Sequence, residues 1–371
     1  MEQSSHQREI RLVDPAWSLS DLMARLAKAL VSDGPAIALS PISTESVPSR
    51  VSLVVNTTGS SGKIKEVGLS ASSLLASAKA SHKFIDAKVG DRWSLLLPLD
   101  HIAGINVLIR SLELGTIPLD FRNSSASEIN KYSAADFSAI VPTQLFRALN
   151  GDSELLDHLR GCRAVLVGGA SLSSELRNQA DENGIKVIET YGSTETTGGC
   201  IYEGKPLEGV EIQINDEGQL RIKGAVLAHS YLNIAKPLTD EDGWFTTSDL
   251  AHFNDEKIII DGRSDDVFIS GGENISLSSV ESIISAKLPS LEVAAFTISD
   301  AQWGQSLCCA IANPNPSNNS DIERDIQEAL TLAIGEIAKV KRFIYLDKLP
   351  LMGIGKVDRV ELKNLVGRLT P

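Results

Sequence analysis

The sequence predicts an α/β fold in which a large N-terminal domain of parallel-rich sheets with helices, plus an antiparallel β portion, precedes a small α+β C-terminal domain. Two observations predict this fold. Up to about residue 200, apolar strand-like runs alternate with helix-like segments, which is typical of largely parallel sheets. Later, Asn215-Asp216-Glu217-Gly218 separates two apolar strands and indicates an antiparallel hairpin. We expect the two domains to span residues 1–261 and 262–371.

The N-terminal elements follow from apolar spacing and from end signals. Ser20 is expected to cap a helix that carries Leu22, Leu26 and Leu30 on one face and stops at Gly34-Pro35. Further on, the pattern predicts strands at 36–39, 51–55, 93–97, 137–141, 163–167 and 186–190, and helices at 70–82, 102–114, 143–150 and 172–182. Ligands of such sheets bind beyond the carboxyl ends of the strands, so we expect the loops after 51–55, 163–167 and 186–190 to converge on one crevice.

The later elements are shorter and less regular. Strands are expected at 210–214, 219–223 and 257–260, and the last of these lies next to the domain boundary. Beyond the boundary, the pattern predicts a helix at 278–288, strands at 293–298 and 305–312, and a helix that starts at Asp321. This order of elements indicates a small α+β unit.

The composition limits the classes of partner. A formal net charge of -13 argues against general attraction to nucleic acid or to an anionic membrane, so we expect small-molecule partners. The four cysteines form no C-x-x-C pair and are expected to be reduced packing residues. The absence of a signal-like N-terminus and of an apolar run of about 18 residues predicts a cytoplasmic protein without membrane insertion. Whether the protein is a homo-oligomer is left open.

One stretch has the composition of a phosphate-binding loop. It follows the apolar run 51–55 and contains Thr57, Thr58, Gly59, Ser60, Ser61, Gly62, Lys63, Ile64 and Lys65. The two glycines allow close approach of the backbone to a ligand, the hydroxyls add donors, and the lysines add positive charge. Only two residues separate Gly59 from Gly62, and Ile64 stands where a Walker loop has its magnesium-binding hydroxyl. A P-loop NTPase is therefore disfavoured, and an ordinary solvated turn is the alternative.

This stretch and five later motifs, in this order, resemble the adenylate-forming superfamily of acyl-CoA synthetases, peptide-synthetase adenylation domains and luciferases. The resemblance covers roughly residues 51 to 360. Its motifs here are 57–65, Tyr-Gly-Ser-Thr-Glu at 191–195, the turn at 218–224, Asp-Gly-Trp-Phe-Thr-Thr-Ser-Asp at 242–249, the pair 262–266 with 270–274, and Gly355-Lys356. The chain departs from the family pattern at Ile64, Gln219 and Ser248, where proline, glutamate and glycine are usual. The segments 97–104, 168–170 and 270–274 are most similar to members that act on an aromatic dicarboxylic acid.

The resemblance implies an ATP-dependent, magnesium-dependent and coenzyme A-dependent ligase that first forms an acyl-adenylate. Lys356 is then expected to bridge the substrate carboxylate and the α-phosphate. Thr194 is expected to contact the α-phosphate, and Glu195 to hold magnesium. The bland alternatives are a surface lysine for Lys356, and a helix cap with its dipole partner for Thr194 and Glu195.

The resemblance also implies binding roles and a hinge. Asp249 and Arg263 are expected to bind the ribose, whereas a turn cap is the alternative for Asp249. Asp265 is expected to be the hinge of a mobile C-terminal lid, with an exposed linker residue as the alternative. His101 is expected to line the acid pocket, with a hydrogen-bonded structural histidine as the alternative. The remaining expected ATP- and coenzyme-binding positions are Gly169, Ala170, Tyr191, Gly192, Gly271 and Gly272, with Gly168 and Gly192 also expected to contact the acid.

Other functions remain as alternatives to an aromatic dicarboxylic acid:CoA ligase. They are another aryl or fatty acyl-CoA ligase, an adenylation enzyme that loads a carrier protein, and a non-catalytic nucleotide-binding relative. A second carboxylate on the acid requires a local basic or amide-rich pocket in a chain of this net charge. Arg110, Arg122 and Arg147 are the candidates by sequence neighbourhood.

Overall fold

The helices of the computed structural model begin and end close to the predicted positions. The structure describes residues 7–58, 64–122, 135–270, 273–289, 291–300, 304–313, 319–352 and 356–369. Its α-helices are α1 (Leu19–Leu30), α2 (Ala71–Phe84), α3 (Ile102–Glu113), α4 (Pro142–Leu149), α5 (Ser153–Gly161), α6 (Ser174–Glu182), α7 (Leu277–Lys287), α8 (Asn319–Ala333) and α9 (Arg359–Leu369). Ser18, not Ser20, caps α1, because the Ser18 hydroxyl accepts from the Asp21 amide at 3.1 Å. Helices α5 and α9 were not predicted.

The strands are numbered in chain order. They are β1 (Gln7–Leu12), β2 (Ala36–Ala38), β3 (Ser46–Pro48), β4 (Val51–Thr58), β5 (Ile64–Ser70), β6 (Trp93–Leu95), β7 (Leu119–Asp120), β8 (Phe137–Ile140), β9 (Ala164–Gly168), β10 (Val187–Ser193), β11 (Gly198–Tyr202), β12 (Lys205–Pro206), β13 (Val210–Ile214), β14 (Gln219–Gly224), β15 (Ser230–Tyr231), β16 (Phe245–Asn254), β17 (Lys257–Arg263), β18 (Val267–Ser270), β19 (Glu273–Ser276), β20 (Glu292–Asp300), β21 (Gly304–Ala312), β22 (Arg342–Leu346), β23 (Leu351–Met352) and β24 (Lys356–Val357).

Three sheets build the N-terminal part. The first has the order β15-β5-β4-β2-β1-β3 and is parallel along β1, β2 and β4. The second has the order β12-β11-β10-β9-β8-β6-β7 and is parallel from β10 through to β7. The third, β13-β14-β16-β17, is antiparallel and contains the predicted hairpin, whose residues 210–214 pair with 220–224. The predicted α/β class with an antiparallel portion is confirmed.

The three sheets share one apolar core. Leu53 of the first sheet, Trp93 of the second and Leu220 of the third belong to the same buried cluster, and each side chain is 0% exposed. Because burial of apolar surface is the main stabilising contribution, this shared core holds the three sheets together as one body. The loops and strand ends that carry the candidate site residues are therefore attached to a common support.

The C-terminal part has its own core. The order β20-β21-β22 forms a sheet, and Phe268, Val280 and Ile326 lie in a buried cluster that packs α7 and α8 on it. Strands β18 and β19 form a hairpin directly after a short 3-10 helix at Ser264–Asp266. The last N-terminal core residue in the chain is Ile258 and the first C-terminal one is Phe268. The predicted boundary at 261/262 falls in this interval and stays a prediction.

Two assumptions behind the expected convergence of the loops are wrong: the loops do not all follow strands of one parallel sheet, and the third begins inside a strand. The stretch at 57–65 joins two antiparallel strands of the first sheet, since Thr57 pairs with Lys65, whereas β9 and β10 lie in the second sheet. Tyr191 to Ser193 are not in a loop: they continue β10 and pair with β11. The backbone hydrogen bonds of Tyr191 to Ser193 come from antiparallel pairing with β11. The Gly/Ser/Thr-rich composition of this stretch does not indicate that pairing. In the part of the chain that the structure describes, no helix has the length and apolarity needed to span a bilayer.

Candidate active site

Asp249 is held between a phenol and a guanidinium. It lies in β16 opposite Arg263 of β17, and its Oδ1 accepts from Arg263 Nη1 at 3.3 Å. Its Oδ2 accepts from the Tyr191 hydroxyl, which reaches it from β10. Burial raises the pKa of Tyr191 well above its ordinary value, and the charge on Asp249 raises it further. The phenol therefore stays a hydrogen-bond donor that fixes the carboxylate.

The local backbone explains why Asp249 faces this way. The Thr247 hydroxyl accepts from the Asp249 amide at 3.0 Å and donates to the Leu220 carbonyl at 3.0 Å. The ladder between β16 and β17 shifts register between Leu250 and Ala251, next to Asp249. Asp249 lies two residues after buried Thr247 and two residues before buried Ala251, so it keeps the inward face of the alternating strand. The carboxylate keeps 14% side-chain exposure and is accessible to a polar ligand.

Glu195 lies in the tight turn that joins β10 to β11. The turn spans 194–197, and the Thr197 amide donates to the Thr194 carbonyl at 3.0 Å. Glu195 is 8% exposed, and its Oε1 accepts from the Tyr231 hydroxyl at 3.0 Å. Its carbonyl accepts from the Ala228 amide at 2.8 Å. Glu195 is thus fixed at both its backbone and its carboxylate, and the predicted helix-cap alternative for Thr194 and Glu195 is wrong.

The stem of the phosphate stretch, which comprises residues 57–58 and 64–65, lies beside this turn. The Lys65 ammonium lies 5.3 Å from the centroid of the Tyr231 ring, on the residue whose hydroxyl contacts Glu195. Thr57 and Thr58 lie in β4, opposite Lys65 and Ile64. Gly59, Ser60, Ser61, Gly62 and Lys63 lie outside the described residues. The described stem and the Glu195 turn therefore meet at Tyr231, although they belong to different sheets.

Two of the predicted glycines allow close backbone packing. Gly168 ends β9 opposite Thr190, where a Cβ would lie 2.3 Å from the Thr190 Oγ1. Gly192 pairs with β11, where a Cβ would lie 2.0 Å from the Gly198 carbonyl oxygen. Both glycines thus permit backbone contacts that hold Tyr191 and the Glu195 turn in position. Gly169 and Ala170 follow directly and are exposed.

His101 lies at the start of α3. It is the N-cap residue, yet its side chain makes no capping hydrogen bond. Its Nε2 lies 3.7 Å from Asp100 Oδ1, and the ring is 32% exposed. The ring is therefore available to a ligand, as the expected pocket-lining role requires.

The C-terminal candidates are described only in part. Asp265 lies within the 3-10 helix Ser264–Asp266, and Lys356 begins β24, where it pairs with Met352. The side chains of Asp265 and Lys356, and all of Gly271 and Gly272, lie outside what the structure describes. Three residues after Lys356, Arg359 donates to Glu281 at 2.7 Å and lies 3.9 Å from Asp266. This ion-pair group links the segment of Lys356 to the helix of Asp265.

The three candidate arginines differ in availability. Arg110 is 5% exposed, donates to the Tyr202 hydroxyl at 3.1 Å and stacks on Trp93, so its position is one of core packing. Arg122 is engaged by Asp120 through two hydrogen bonds of 2.8 and 2.6 Å. Arg147 is exposed on α4. Its burial removes Arg110 from the three candidates, and the choice between Arg122 and Arg147 stays open.

Sequence reasoning missed Tyr231. It lies in the two-residue strand β15 and contacts both Lys65 and Glu195. No periodicity or motif spacing marks it, because its contacts are with residues that are far away in the chain. The pairing of β15 with β5 brings it to the site.

The arrangement fits a magnesium nucleotide. Among the described residues, no group of three or more histidine, cysteine, aspartate or glutamate side chains could hold a metal. A single carboxylate such as Glu195 suits Mg²⁺, which keeps several waters and binds phosphate oxygens. The Asp249 carboxylate suits neighbouring hydroxyls as donors. The cysteines Cys162, Cys200, Cys308 and Cys309 are buried free thiols, as expected of packing residues.

Comparison with known proteins agrees with this geometry. A family model described as "AMP-binding enzyme" matches residues 3–241, and one described as "AMP-binding enzyme C-terminal domain" matches residues 279–356. A probable 2-succinylbenzoate–CoA ligase of Mycobacterium tuberculosis is 31% identical over 94% of this chain and 96% of its own length.

Two solved structures are similar over nearly the whole chain. An Escherichia coli MenE variant with bound OSB-AMS has a TM-score of 0.74 and 25% identity, covering 96% of this chain and 82% of that one. O-succinylbenzoate coenzyme A synthetase of Bacillus subtilis, in complex with ATP and magnesium ion, has a TM-score of 0.73 and 22% identity. It covers 96% of this chain and 84% of that one, and at this identity it supports the fold.

Proposed function

Because the chain belongs to the family of AMP-binding enzymes, we propose that it joins o-succinylbenzoate to coenzyme A through an acyl-adenylate made from ATP. The observation that carries the choice of acid is the 31% identity to a probable 2-succinylbenzoate–CoA ligase over 96% of that relative. The product serves menaquinone biosynthesis. The cytoplasmic location expected from the sequence stays a prediction.

The first half-reaction is attack of the succinyl carboxylate on the α-phosphorus of ATP. A new P–O bond forms, the bond to the leaving pyrophosphate breaks, and negative charge grows on the phosphate oxygens. Lys356 stabilises this charge and brings the two anions together, which suits a point charge on a flexible stem. Thr194 contacts the α-phosphate, and the residues from Thr57 to Lys65 hold the outer phosphates. Magnesium, held by Glu195 when bound, offsets phosphate charge.

The nucleoside is positioned by the residues around Asp249. Its carboxylate accepts both ribose hydroxyls, and Arg263 lies beside the same ribose. Support comes from the contacts of Asp249 with Tyr191 and Arg263, which hold the carboxylate oxygens in a fixed orientation. Exposed Gly169 and Ala170, with Tyr191 and Gly192, form the neighbouring surface for the base. A positioned ribose places the α-phosphorus in line with the acid, so orientation contributes directly to rate.

The second half-reaction is attack of the coenzyme A thiol on the acyl carbon. The C–S bond forms, the bond to AMP breaks, and the thiol proton is released to solvent. We propose that residues 262–371 rotate about Asp265 between the two half-reactions, and that Gly271 and Gly272 leave room for the pantetheine chain. His101 and Gly168 line the acid pocket. The domain division at 261/262 belongs to the same proposal.

The test is a panel of carboxylic acids, with pyrophosphate release and thioester formation followed in parallel. We expect kcat/KM for o-succinylbenzoate to exceed that for benzoate, for 4-phenylbutanoate and for medium-chain fatty acids. The ring carboxylate must be desolvated, and a pocket built to hold it is left with unpaired polar groups when a monoacid binds. Equal or better use of a monoacid would reject the choice of acid but not the adenylate chemistry. Absence of pyrophosphate release with every acid would reject a catalytic function.

A further inference from the structure

We propose that Tyr231 is the positioning residue that keeps Lys65 and Glu195 apart and aims both at the polyphosphate of ATP and its divalent cation. This inference rests on the proposed function and adds a residue to which no motif assigns a role. Tyr231 uses two different parts of its side chain. Its hydroxyl donates to Glu195 at 3.0 Å, and its ring face lies 5.3 Å from the Lys65 ammonium.

A lysine and a glutamate at one site tend to pair with each other. Such a pair would neutralise both groups and would have to be broken before a phosphate or a cation could bind. Among the ion pairs of the described residues, none joins Lys65 to Glu195. Tyr231 offers each group a different partner instead: a π-face for the ammonium and a hydroxyl for the carboxylate. Both charges are therefore retained for the ligand.

The segment that carries Tyr231 is hydrogen-bonded through its backbone to the turn of Glu195 and to the strand of Lys65. We call residues 228–233 the brace. At one end the Ala228 amide donates to the Glu195 carbonyl at 2.8 Å. At the other end the Leu232 amide donates to the Glu66 carbonyl at 2.8 Å, next to Lys65. The brace therefore sets the separation of Lys65 and Glu195 independently of any ligand.

At its Asn233 end, the brace is also hydrogen-bonded to the backbone beside the stem of the phosphate stretch. The Asn233 Oδ1 accepts from the Glu66 amide at 2.9 Å, and its Nδ2 donates to the Ile64 carbonyl at 3.0 Å. These two bonds fix the backbone on both sides of Lys65. A site whose charged groups are held before the ligand arrives loses less entropy and reorganises less on binding.

The direction of the hydrogen bond agrees with this role. A phenol O–H donates and a carboxylate oxygen accepts, so Tyr231 is the donor to Glu195. Its acceptor, Glu195, is 8% exposed and depends on that donor for orientation.

Two substitutions separate the two contacts. Tyr231→Phe removes the hydroxyl and keeps the ring, whereas Tyr231→Leu removes both. Metal-free ATP binding is measured by calorimetry in EDTA, without acid or coenzyme A. The Mg²⁺ dependence is then measured from pyrophosphate release with saturating ATP and acid. The matched control is Tyr345→Phe, which removes a tyrosine hydroxyl that also donates to a glutamate, Glu323, at 3.0 Å in the C-terminal part.

We expect Tyr231→Phe to raise the half-saturating Mg²⁺ concentration by about fivefold to tenfold and to leave metal-free ATP affinity within about twofold. Tyr231→Leu should in addition weaken metal-free ATP binding by about threefold to tenfold, because Lys65 loses the ring. Tyr345→Phe should change neither quantity. The Phe variant differs from the parent by one oxygen, so it remains a usable test if the Leu variant does not fold.

The outcomes distinguish this inference from the proposed function. If the parent binds ATP and releases pyrophosphate but both Tyr231 variants keep parental values, the positioning role is rejected and the proposed function stands. Equal changes in metal-free ATP affinity in the Phe and Leu variants would also reject it, because the ring and the hydroxyl would then not act separately. A parent that binds no ATP would reject the proposed function together with this inference.

Discussion

At the scale of single residues, the motifs identify Tyr191 and Asp249 but not the bond between them. Both residues were expected at the nucleotide by resemblance, and the structure adds that the Tyr191 hydroxyl donates to the Asp249 carboxylate across 58 positions of sequence. Such a contact depends on how β10 of one sheet meets β16 of another. Short-range periodicity carries no information about that meeting, which is why Tyr231 was missed as well.

Gly192 gives the first prediction. Gly192→Ala should lower the free energy of unfolding by about 1–3 kcal/mol and reduce adenylate formation, because its Cβ would lie 2.0 Å from the Gly198 carbonyl oxygen. The backbone has to shift there, and Tyr191 and the Glu195 turn shift with it. Denaturant unfolding and pyrophosphate release measure the two effects.

The matched control for Gly192→Ala is Gly161→Ala. Gly161 ends α5, and an added Cβ there meets nothing within 4 Å. Alanine is favoured over glycine in a helix, so this variant should be as stable as the parent or slightly more stable. Equal stability of both variants would contradict the close packing inferred for β10 and β11.

At the scale of elements, the sequence predicted the helices and strands whose limits depend on short-range interactions. Strand β13 was predicted at its observed bounds, and α3 and α4 to within one residue, because apolar spacing and end signals are short-range. The extension of β10 to Ser193 was missed because its hydrogen bonds come from β11. Helix α5 is different: Asp152 caps it and Leu155, His158 and Leu159 share its buried face, so its signal was present in the sequence.

His158 on α5 gives a prediction for the pH dependence of stability. Burial lowers its pKa from 6.5 to about 4, and its Nε2 lies 2.9 Å from the Ser94 hydroxyl of β6. Between these two pH values only the unfolded chain binds the proton, so the free energy of unfolding falls as the pH decreases from about 6.5 to about 4. Over this window the parent should lose up to about 3 kcal/mol more than His158→Gln.

Urea unfolding at pH 7, 5.5 and 4.5 measures this difference. His252→Gln is the control for removing an imidazole, because that ring is 55% exposed and therefore lacks the burial that the prediction for His158 depends on. An identical loss of stability in the parent and in His158→Gln would show that other groups carry the acid sensitivity of the second sheet.

At the scale of the whole molecule, the order of the motifs predicted the two-part fold and the chemistry, but not the acid pocket. Pocket shape is assembled from distant segments, and Arg110 illustrates this: close in sequence to the 97–104 motif, it lies in the core against Trp93 and Tyr202. One buried apolar cluster ends at Ile258 and another begins at Phe268. These separate clusters support a proposal in which the C-terminal part moves as a unit. The next two predictions test that proposal.

Asp265→Pro should slow thioester formation more than adenylate formation. Asp265 lies in the 3-10 helix Ser264–Asp266, and the usual φ of a 3-10 helix is compatible with proline. Proline would, however, resist a torsion change at this position. Single-turnover kinetics with ATP and acid, and separately with supplied acyl-adenylate and coenzyme A, measure the two steps. Asp265→Ala keeps rotation about φ and should leave both steps near parental rates. Equal rates in the proline variant and the parent would remove Asp265 as the hinge.

Lys356→Ala should slow adenylate formation more than thioester formation. Charge on the α-phosphate grows only in the adenylation transition state, so removing the ammonium should lower that rate by about a hundredfold or more. Thioester formation from supplied acyl-adenylate should stay within about threefold of the parent, because no phosphorus is attacked in that step. Lys348→Ala, which removes an exposed lysine of the same domain, should change neither rate. An equal loss in both half-reactions would mean that Lys356 supports the fold or the domain orientation, since a group acting on the α-phosphate alone cannot slow attack on the acyl carbon.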